Sequence, residues 1–451
     1  MRSQAATPPG RAIRAALVPV VLALALVTVA SAESERALSK PSCLVALPAL
    51  TGNQESYANT PEELSPFNKF ANPHIRFFQP KQFFLPKTFD DEMDPGGEIR
   101  IGVMAYDASS PFARLSSQLE RGCEFALDEA NARGGTRGLK YRLMIERTLP
   151  VWGASSNAAV NLAYRHKVVA FVGPTDPADS HIALRVTLKT NVPMISTACT
   201  DSTQTETRIP WYLRCCVDDR QYAYALATQV VKQMGIERIG VMRVNAMYGR
   251  FGIVEFIDAC RRLGRPVVTE MRFKQGAREF AQQLEHLEQA KLGVLVLWAD
   301  AEDAAHFVKA ARARGLTMPI LGSDRLVDPR FLEIAGKDAE GIISVTDYDP
   351  TRKDVELGRF QRAWAKRYGE PPGQVAARTY AGVRILIDAI ERAGPYRHAV
   401  QDEMLKLEGR TVQTILGPIP FDSRLDNMMP AVYVRVKDGR FEYLGTRPFP
   451  R

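Results

Sequence analysis

The chain has 451 residues, 45% of them hydrophobic and 24% charged, a composition typical of a globular protein with two or three domains. Its formal net charge is +8, but basic and acidic residues are interleaved throughout, so the sequence offers no basic patch for nucleic acid. Apart from one N-terminal run, no stretch is apolar and long enough to cross a bilayer.

The first 32 residues have the pattern of a secretory signal. Three arginines precede an apolar run from Ala15 to Val29, and Ala30-Ser31-Ala32 then places small residues at a cleavage site. The run has about 15 residues, fewer than the roughly 20 that a membrane-spanning helix needs. We therefore expect cleavage after Ala32 and a soluble mature chain in the periplasm; an uncleaved anchor is the alternative. Removal of the three arginines lowers the net charge from +8 to +5.

Residues 33–97 form an extension with a composition of its own. Seven of the chain's 20 phenylalanines lie between residues 67 and 89, and prolines recur through the same stretch. Such a segment is too rich in proline for long helices and too aromatic for a free linker. We expect it to lie as extended chain on the protein's own globular body; docking of a partner is the alternative.

From Glu98 onward, strand and helix patterns alternate. The first unit has strands at Ile99–Met104, Tyr141–Ile145, Val168–Val172, Val192–Ile195 and Tyr212–Val217, and helices at Ser110–Arg133, Ser155–His166 and Ala178–Lys189. The second has strands at Arg238–Met242, Val267–Met271, Gly293–Trp298, Pro319–Leu321 and Gly341–Val345, and helices at Ala223–Met234, Tyr248–Leu263, Glu279–Gln289 and Asp303–Arg314. Late helices at Val355–Tyr368 and Gln374–Ala393 and small strands at Ala431–Val436 and Phe441–Leu444 complete the chain. This alternation predicts the α/β class, with two doubly wound parallel-sheet lobes and a ligand cleft between them.

Two turns in the first unit form the predicted ligand site. They are Gly173-Pro174-Thr175-Asp176 and Ser196-Thr197-Ala198-Cys199-Thr200, each at the carboxyl end of a strand, where parallel sheets bind ligands. Their hydroxyls and backbone N–H groups, together with the helix that begins near Thr175, favour an anion such as a carboxylate. The alternative is that both are ordinary turns of a doubly wound fold.

Enzyme and metal-site motifs are absent from the sequence. It contains no G-x-S-x-G elbow, no G-x-x-x-x-G-K-[ST] loop, no H-E-x-x-H and no G-x-G-x-x-G that opens a helix. We therefore expect a binding protein with no catalytic residue, cofactor or metal. Among six scattered histidines, His181 alone lies near a predicted ligand turn.

The six cysteines show no C-x-x-C spacing, which argues against a redox or metal site. Cys123 and Cys260 lie on the apolar faces of helical patterns and are predicted to be buried thiols. A bridge from Cys199 to Cys215 or Cys216 stays open, because exported proteins can form disulfides.

Several segments, in order, resemble the branched-chain amino acid type of periplasmic substrate-binding protein, which serves ABC uptake transporters. They are IGVMAYDASSPFARLSSQLERGCEFALDEANARGG (101–135), FVGPTDP (171–177), VPMISTACTD (192–201), YGRFG (248–252), ARARGLTMPILGSD (311–324), YGEPP (368–372) and LGPIPFD (416–422). The resemblance covers nearly all of residues 98–451 and none of the extension.

The resemblance implies a type I periplasmic binding protein fold that closes on its ligand by hinge motion. Three crossings near Val217, Tyr348 and Leu416 would define lobe 1 as 98–217 plus 349–416, and lobe 2 as 218–348 plus 417–451. The implied ligand-binding residues are Leu115, Thr175, Asp176, Ala198, Cys199, Thr200, Tyr248, Asp300 and Asp324. The turns of Thr175 and Ala198 would hold a ligand carboxylate, and Asp324 would take its ammonium.

Two departures from the family pattern bear on the ligand. Asp176-Pro177 stands where amino-acid binders typically carry Ser, and Asp300 stands where some members carry a pocket Tyr. An acid at Asp176 would repel a ligand carboxylate, and Pro177 removes an N–H donor. An acid-rich cleft therefore predicts a cationic, amide or polyol ligand rather than a branched-chain amino acid.

The sequence thus predicts a monomeric solute-binding protein that delivers a small polar ligand to the membrane permease of an ABC transporter. The alternative is a periplasmic sensor that signals to a membrane receptor, which the extension would serve.

Overall fold

A computed structural model describes residues 97–149, 152–206, 209 and 211–448. The predicted signal segment, Cys43 and all but the last residue of the extension lie outside these residues. Within the described residues, no helix combines the length and apolar composition that a bilayer crossing demands.

The first sheet has five parallel strands in the order β2-β1-β3-β4-β5. They are β1 (Glu98–Tyr106), β2 (Lys140–Thr148), β3 (Ala170–Val172), β4 (Met194–Ser196) and β5 (Tyr212–Arg214). Every residue of β3, β4 and β5 is buried. This burial explains the continuous apolar runs of β3 and β4, because helices cover both faces of such a sheet.

The second sheet has seven strands in the order β14-β13-β10-β9-β8-β6-β7. They are β6 (Ile239–Val244), β7 (Thr269–Phe273), β8 (Val294–Trp298), β9 (Ile320–Gly322), β10 (Ile343–Thr346), β13 (Val432–Lys437) and β14 (Arg440–Tyr443). Strands β6 to β10 are parallel to one another. Strand β13 pairs antiparallel with β10 at the edge of this sheet, and β14 pairs antiparallel with β13. A separate hairpin joins β11 (Thr411–Thr414) and β12 (Gly417–Pro420).

The described α-helices connect these strands. They are α1 (Ala113–Ala132), α2 (Trp152–Val160), α3 (Pro177–Thr190), α4 (Thr203–Glu206), α5 (Asp219–Thr228), α6 (Met247–Arg262), α7 (Ala281–Ala290), α8 (Ala301–Ala313), α9 (Pro329–Ala335), α10 (Val355–Tyr368), α11 (Gln374–Ala393) and α12 (Arg397–Leu405). In α1, Leu119, Cys123 and Ala130 recur at helical spacing and are buried. Gly134 and Gly135, with φ of 111° and 75°, end the helix as predicted.

The late helices α10 and α11 pack on the side of the first sheet. The ring of Phe125 on α1 lies 5.7 Å from those of both Phe360 and Tyr380. Gly122 lets α1 and α11 approach closely, because a Cβ there would lie 2.8 Å from the carbonyl oxygen of Ala376. The chain therefore returns from the second sheet to the first after β10.

Contacts near residue 426 hold the chain to the first sheet until just before β13. The backbone N–H of Arg214 in β5 donates to the carbonyl of Leu425 at 3.0 Å. The side-chain amide of Asn427 donates to the carbonyl of Cys215. Among the described residues the chain thus passes between the sheets after β5, after β10 and before β13.

Candidate functional site

A cavity of about 380 Å³ lies between the carboxyl ends of the strands of the two sheets. The first sheet contributes the segments after β1, β3 and β4, and the second contributes those after β8 and β9. The lining residues are Ser110, Pro111, Ala113, Arg114, Leu115, Thr175, Ala198, Asp300, Ala301, Glu302, Asp324, Arg325, Asp328, Arg330, Glu333, Gln374, Val375 and Arg378. Leu115, Thr175, Ala198, Asp300 and Asp324, which the sequence predicted as site residues, meet here. A cavity of this size suits a small-molecule ligand.

Thr175 is the polar residue that β3 presents to this cavity. It is 2% exposed, and its Oγ1 has no hydrogen-bond partner among the described residues. Because a buried hydroxyl without a partner costs free energy, this atom is placed to bond a ligand.

Three helix N-termini converge on the cavity. The N-cap residues of α1, α8 and α11 are Phe112, Asp300 and Gly373, and none of them caps its helix with a side chain. The first N–H groups of a helix have no partner within the helix. Their partial positive charge attracts a negatively charged ligand group.

Asp324 is almost wholly enclosed by the protein, with 1% of its surface exposed. Its Oδ1 accepts from the hydroxyl of Tyr248 at 2.7 Å, and its Oδ2 accepts from Nη1 of Arg378 at 3.2 Å. Both carboxylate oxygens therefore already have partners in the chain. Asp328, and not Asp324, caps α9 by accepting from the backbone N–H of Arg330.

Arg325 joins the two sides of the cavity, and the sequence reasoning missed it. It is 6% exposed, and its guanidinium lies 3.6 Å from the centre of the Tyr248 ring. Nη1 donates to Oδ1 of Asp300 at 2.7 Å, and Nη2 donates to the carbonyl of Thr175 at 3.0 Å. Burial opposes the charge of Arg325, but Asp300 and neighbouring groups outweigh burial and hold the pKa of the guanidinium above its usual range.

Arg378 is a second buried cation at the cavity, with 1% of its surface exposed. Besides Asp324 it bonds Oδ1 of Asp347 at 2.5 Å and the hydroxyl of Tyr222 at 2.8 Å. Asp347 in turn accepts from the backbone N–H of Val217 at 2.9 Å. Val217 and Asp347 follow β5 and β10, so this network lies where the chain passes between the sheets.

Asp176, which the resemblance implies as a ligand-binding residue, is not among the residues that line this cavity. Its side chain caps α3 by accepting from the backbone N–H of Ala178 at 2.8 Å. Pro177 follows as the first residue of that helix. Burial, only partly offset by Arg325, raises the pKa of Asp176 to about 6.

Cys199, Thr200 and Tyr248 also lie outside the cavity lining. The carbonyl of Thr200 accepts from the backbone N–H of Asp219 at 2.8 Å. Tyr248 contacts two lining residues instead, Asp324 through its hydroxyl and Arg325 through its ring. His181 is likewise not a lining residue, and its Nε2 hydrogen-bonds Oδ2 of Asp201 at 2.7 Å.

The disulfide left open for Cys199 is not formed. All five described cysteines are buried free thiols: Cys123, Cys199, Cys215, Cys216 and Cys260. The thiol of Cys216 donates to the carbonyl of Cys199 at 3.4 Å, and that of Cys215 donates to the carbonyl of Arg378 at 3.7 Å. No group of side chains in the described part of the chain has the make-up of a metal site.

Comparison with known proteins finds relatives over most of the chain. Residues 98–440 match the periplasmic binding protein family model. A Leu/Ile/Val-binding protein homologue from Brucella melitensis is 23% identical over 339 residues, which cover 74% of this chain and 90% of that protein. Most of the chain therefore takes part in the likeness.

Solved structures share the fold. The leucine-binding protein LivK of Thermotoga maritima is 24% identical, with a TM-score of 0.70, over 77% of this chain and 98% of that one. A second structure is that of a solute-binding protein of an ABC transporter from Rhodopseudomonas palustris, in complex with 3,4-dihydroxybenzoic acid. It is 18% identical, with a TM-score of 0.70, and the likeness covers 79% of this chain and 98% of that one. These likenesses confirm the predicted fold of two doubly wound lobes.

Proposed function

This chain belongs to the periplasmic binding protein family, and we propose that it captures a small polar solute between its two lobes and delivers it to an ABC-type uptake permease. The observation that carries the proposal is the cavity, because both sheets point the carboxyl ends of their strands into it. Its relatives are solute-binding proteins of transporters, so the protein is a binding protein and not an enzyme.

The lobes that would close on the solute are residues 98–217 plus 349–416 and residues 218–348 plus 417–451. The passages of the chain between the sheets support this division, although contacts of Leu425 and Asn427 with the first sheet favour a third hinge nearer β13. Hinged lobes close when the ligand makes contacts with both.

Export through a signal cleaved after Ala32 would place a monomeric mature chain in the periplasm. The apolar run and small residues of the first 32 positions support this part of the proposal. A signalling role is not supported, since the Rhodopseudomonas palustris protein of the same fold is a solute-binding protein of an ABC transporter.

The proposal is tested with the full exported chain. A thermal-shift screen of small metabolites should find a solute that raises the melting temperature, because a ligand that binds only the folded state stabilises it. Cells that lack this protein should then lose most of their uptake of that solute, labelled with an isotope. Unchanged uptake would contradict delivery to a permease.

Lobe closure is measured separately by small-angle X-ray scattering. A saturating amount of the solute should lower the radius of gyration. An unchanged radius, with binding confirmed by calorimetry, would count against closure of the lobes.

A further inference from the structure

We infer that the ligand of this cavity is a carboxylate that carries a hydroxyl group and no ammonium, a class that the proposed solute-binding function leaves open. The inference starts from the polar groups that line the cavity and from two of their buried atoms, Oγ1 of Thr175 and Oδ2 of Asp300, that have no partner among the described residues. It replaces the cationic ligand that the sequence suggested.

Several donors and positively polarised groups line the cavity. The N-termini of α1, α8 and α11 lack side-chain caps, and the hydroxyl of Thr175 has no partner among the described residues. Arg325 and Arg378 add two buried guanidinium groups to the wall. A ligand carboxylate can accept from the hydroxyl of Thr175 and from backbone N–H groups at these helix N-termini, and the positive charge of the two arginines, though both are already bonded in the chain, adds attraction.

Two of the lining acids, Asp324 and Asp328, already have partners within the chain. Both oxygens of Asp324 are bonded, to Tyr248 and Arg378. Oδ1 of Asp328 accepts from a backbone N–H and pairs with Arg114 at 3.0 Å. An ammonium that approached either acid would have to share it with a guanidinium.

Asp300 differs from these two acids in having one oxygen available to a ligand. Its Oδ1 is bonded to Arg325, but its Oδ2 is buried and has no partner among the described residues. A hydroxyl donates one hydrogen and would give this oxygen a partner. An ammonium carries several N–H donors and a positive charge, which the guanidinium of Arg325 beside the same carboxylate repels.

The test uses matched probes that differ in one group. Leucine, 2-hydroxy-4-methylpentanoate and 4-methylpentanoate form one series; phenylalanine, 3-phenyllactate and 3-phenylpropanoate form a second. Calorimetric titration of the full exported chain should rank the hydroxy acid first in any series that binds, about tenfold or more tighter than the amino acid. An amino acid that binds tighter than its hydroxy acid would overturn the inference.

A panel in which no member binds would also overturn the inferred ligand class. The proposed solute-binding function would survive if the metabolite screen still finds a solute that the cells take up. It would fail if neither the screen nor the uptake measurement gives a solute, so the two failures are distinguishable.

The variant Asp300→Asn checks the role of the free oxygen. It keeps an oxygen for Arg325 but removes the second acceptor, so the hydroxy acid should bind about tenfold more weakly, while the acid without a hydroxyl changes by about twofold or less. The matched control is Asp128→Asn, whose exposed carboxylate pairs with Arg367 away from the cavity. Equal losses for both acids in Asp300→Asn would show that Asp300 does not read the hydroxyl.

Discussion

The side of the cavity that belongs to the first sheet and the side that belongs to the second hold their polar groups in different ways. Thr175 and Ala198, which follow β3 and β4, give a neutral patch whose hydroxyl has no partner among the described residues. The arginines of the same side, Arg114 and Arg378, pair with acids of the other side. The acids of the opposite wall, Asp300 and Asp324, are each bonded to an arginine. A paired buried group is needed for stability, whereas an unpaired one is available to a ligand. Substitutions should therefore separate stability from binding according to the wall they alter.

The largest effect is expected from Arg378→Gln. The change leaves Asp324 and Asp347 without their shared guanidinium in a buried site, which should lower the free energy of unfolding by about 3–5 kcal/mol. Urea titration measures it. The control Arg359→Gln removes an exposed pair with Glu356 and should cost about 0–1 kcal/mol. Similar losses in the two variants would break the comparison between the walls.

Asp324→Asn should follow, with a loss of about 1.5–3 kcal/mol in the empty protein, because it removes the charge that faces Arg378. The sequence predicted instead that Asp324 binds a ligand ammonium. Melting temperatures and binding of leucine are measured together. An unchanged melting temperature with weaker leucine binding would show that Asp324 binds the ligand ammonium. The comparison between paired groups that stabilise and unpaired groups that bind would then be wrong.

Asp176→Asn should show a stability effect that depends on pH. Burial raises the pKa of Asp176 to about 6, whereas the unfolded carboxyl titrates near about 4. The stability that its proton contributes is therefore complete below about pH 4 and is lost as pH rises through about 6.

Asparagine keeps a capping oxygen for Ala178 without this loss. The variant should melt with the parent protein near pH 4 and about 2–4 °C above it at pH 8. Asp218, whose pKa burial also raises to about 6, is present in both proteins and cancels in the difference. A difference that is constant across this range would contradict the assignment.

The smallest stability effect is expected from Thr175→Val, within about 0.5 kcal/mol, because the hydroxyl that it removes is unpaired. Affinity for any carboxylate that binds should fall by about twofold to tenfold. The control Thr187→Val removes a buried hydroxyl that donates to the carbonyl of Leu184 at 2.8 Å, and should lower the free energy of unfolding by about 1 kcal/mol. Equal stability losses would show that Thr175 is paired after all.

The sequence predicted the neutral patch of Thr175 and Ala198 better than the charged groups of the cavity. Strand runs and the turns that follow them are local, so Leu115, Thr175 and Ala198 could be placed at the cleft from hydrophobic periodicity and family resemblance. Arg378 is 54 residues from Asp324 along the chain, and no local pattern indicates that they pair. The available signal was that Arg378 lies four residues after Gln374 on α11, so that both side chains lie on the same face of this helix.

Asp176 shows that a local signature and a family resemblance can point to different roles for one residue. The pair Asp176-Pro177 at the start of a helix is a capping signature, and the structure uses it as one. The resemblance directed attention to the ligand instead. Arg325 directly follows Asp324, yet its importance depends on the meeting of Tyr248, Asp300 and Thr175 in space.

Two buried cysteines can report the unfolding of each half of the chain separately. Cys123 lies on α1, beside the first sheet, and Cys260 lies on α6, whose Gly252 packs against Trp298 of the second sheet. Burial raises the pKa of both thiols, so neither is reactive while its half is folded. Alkylation of each thiol, followed residue by residue by mass spectrometry, therefore times the exposure of its own half of the chain.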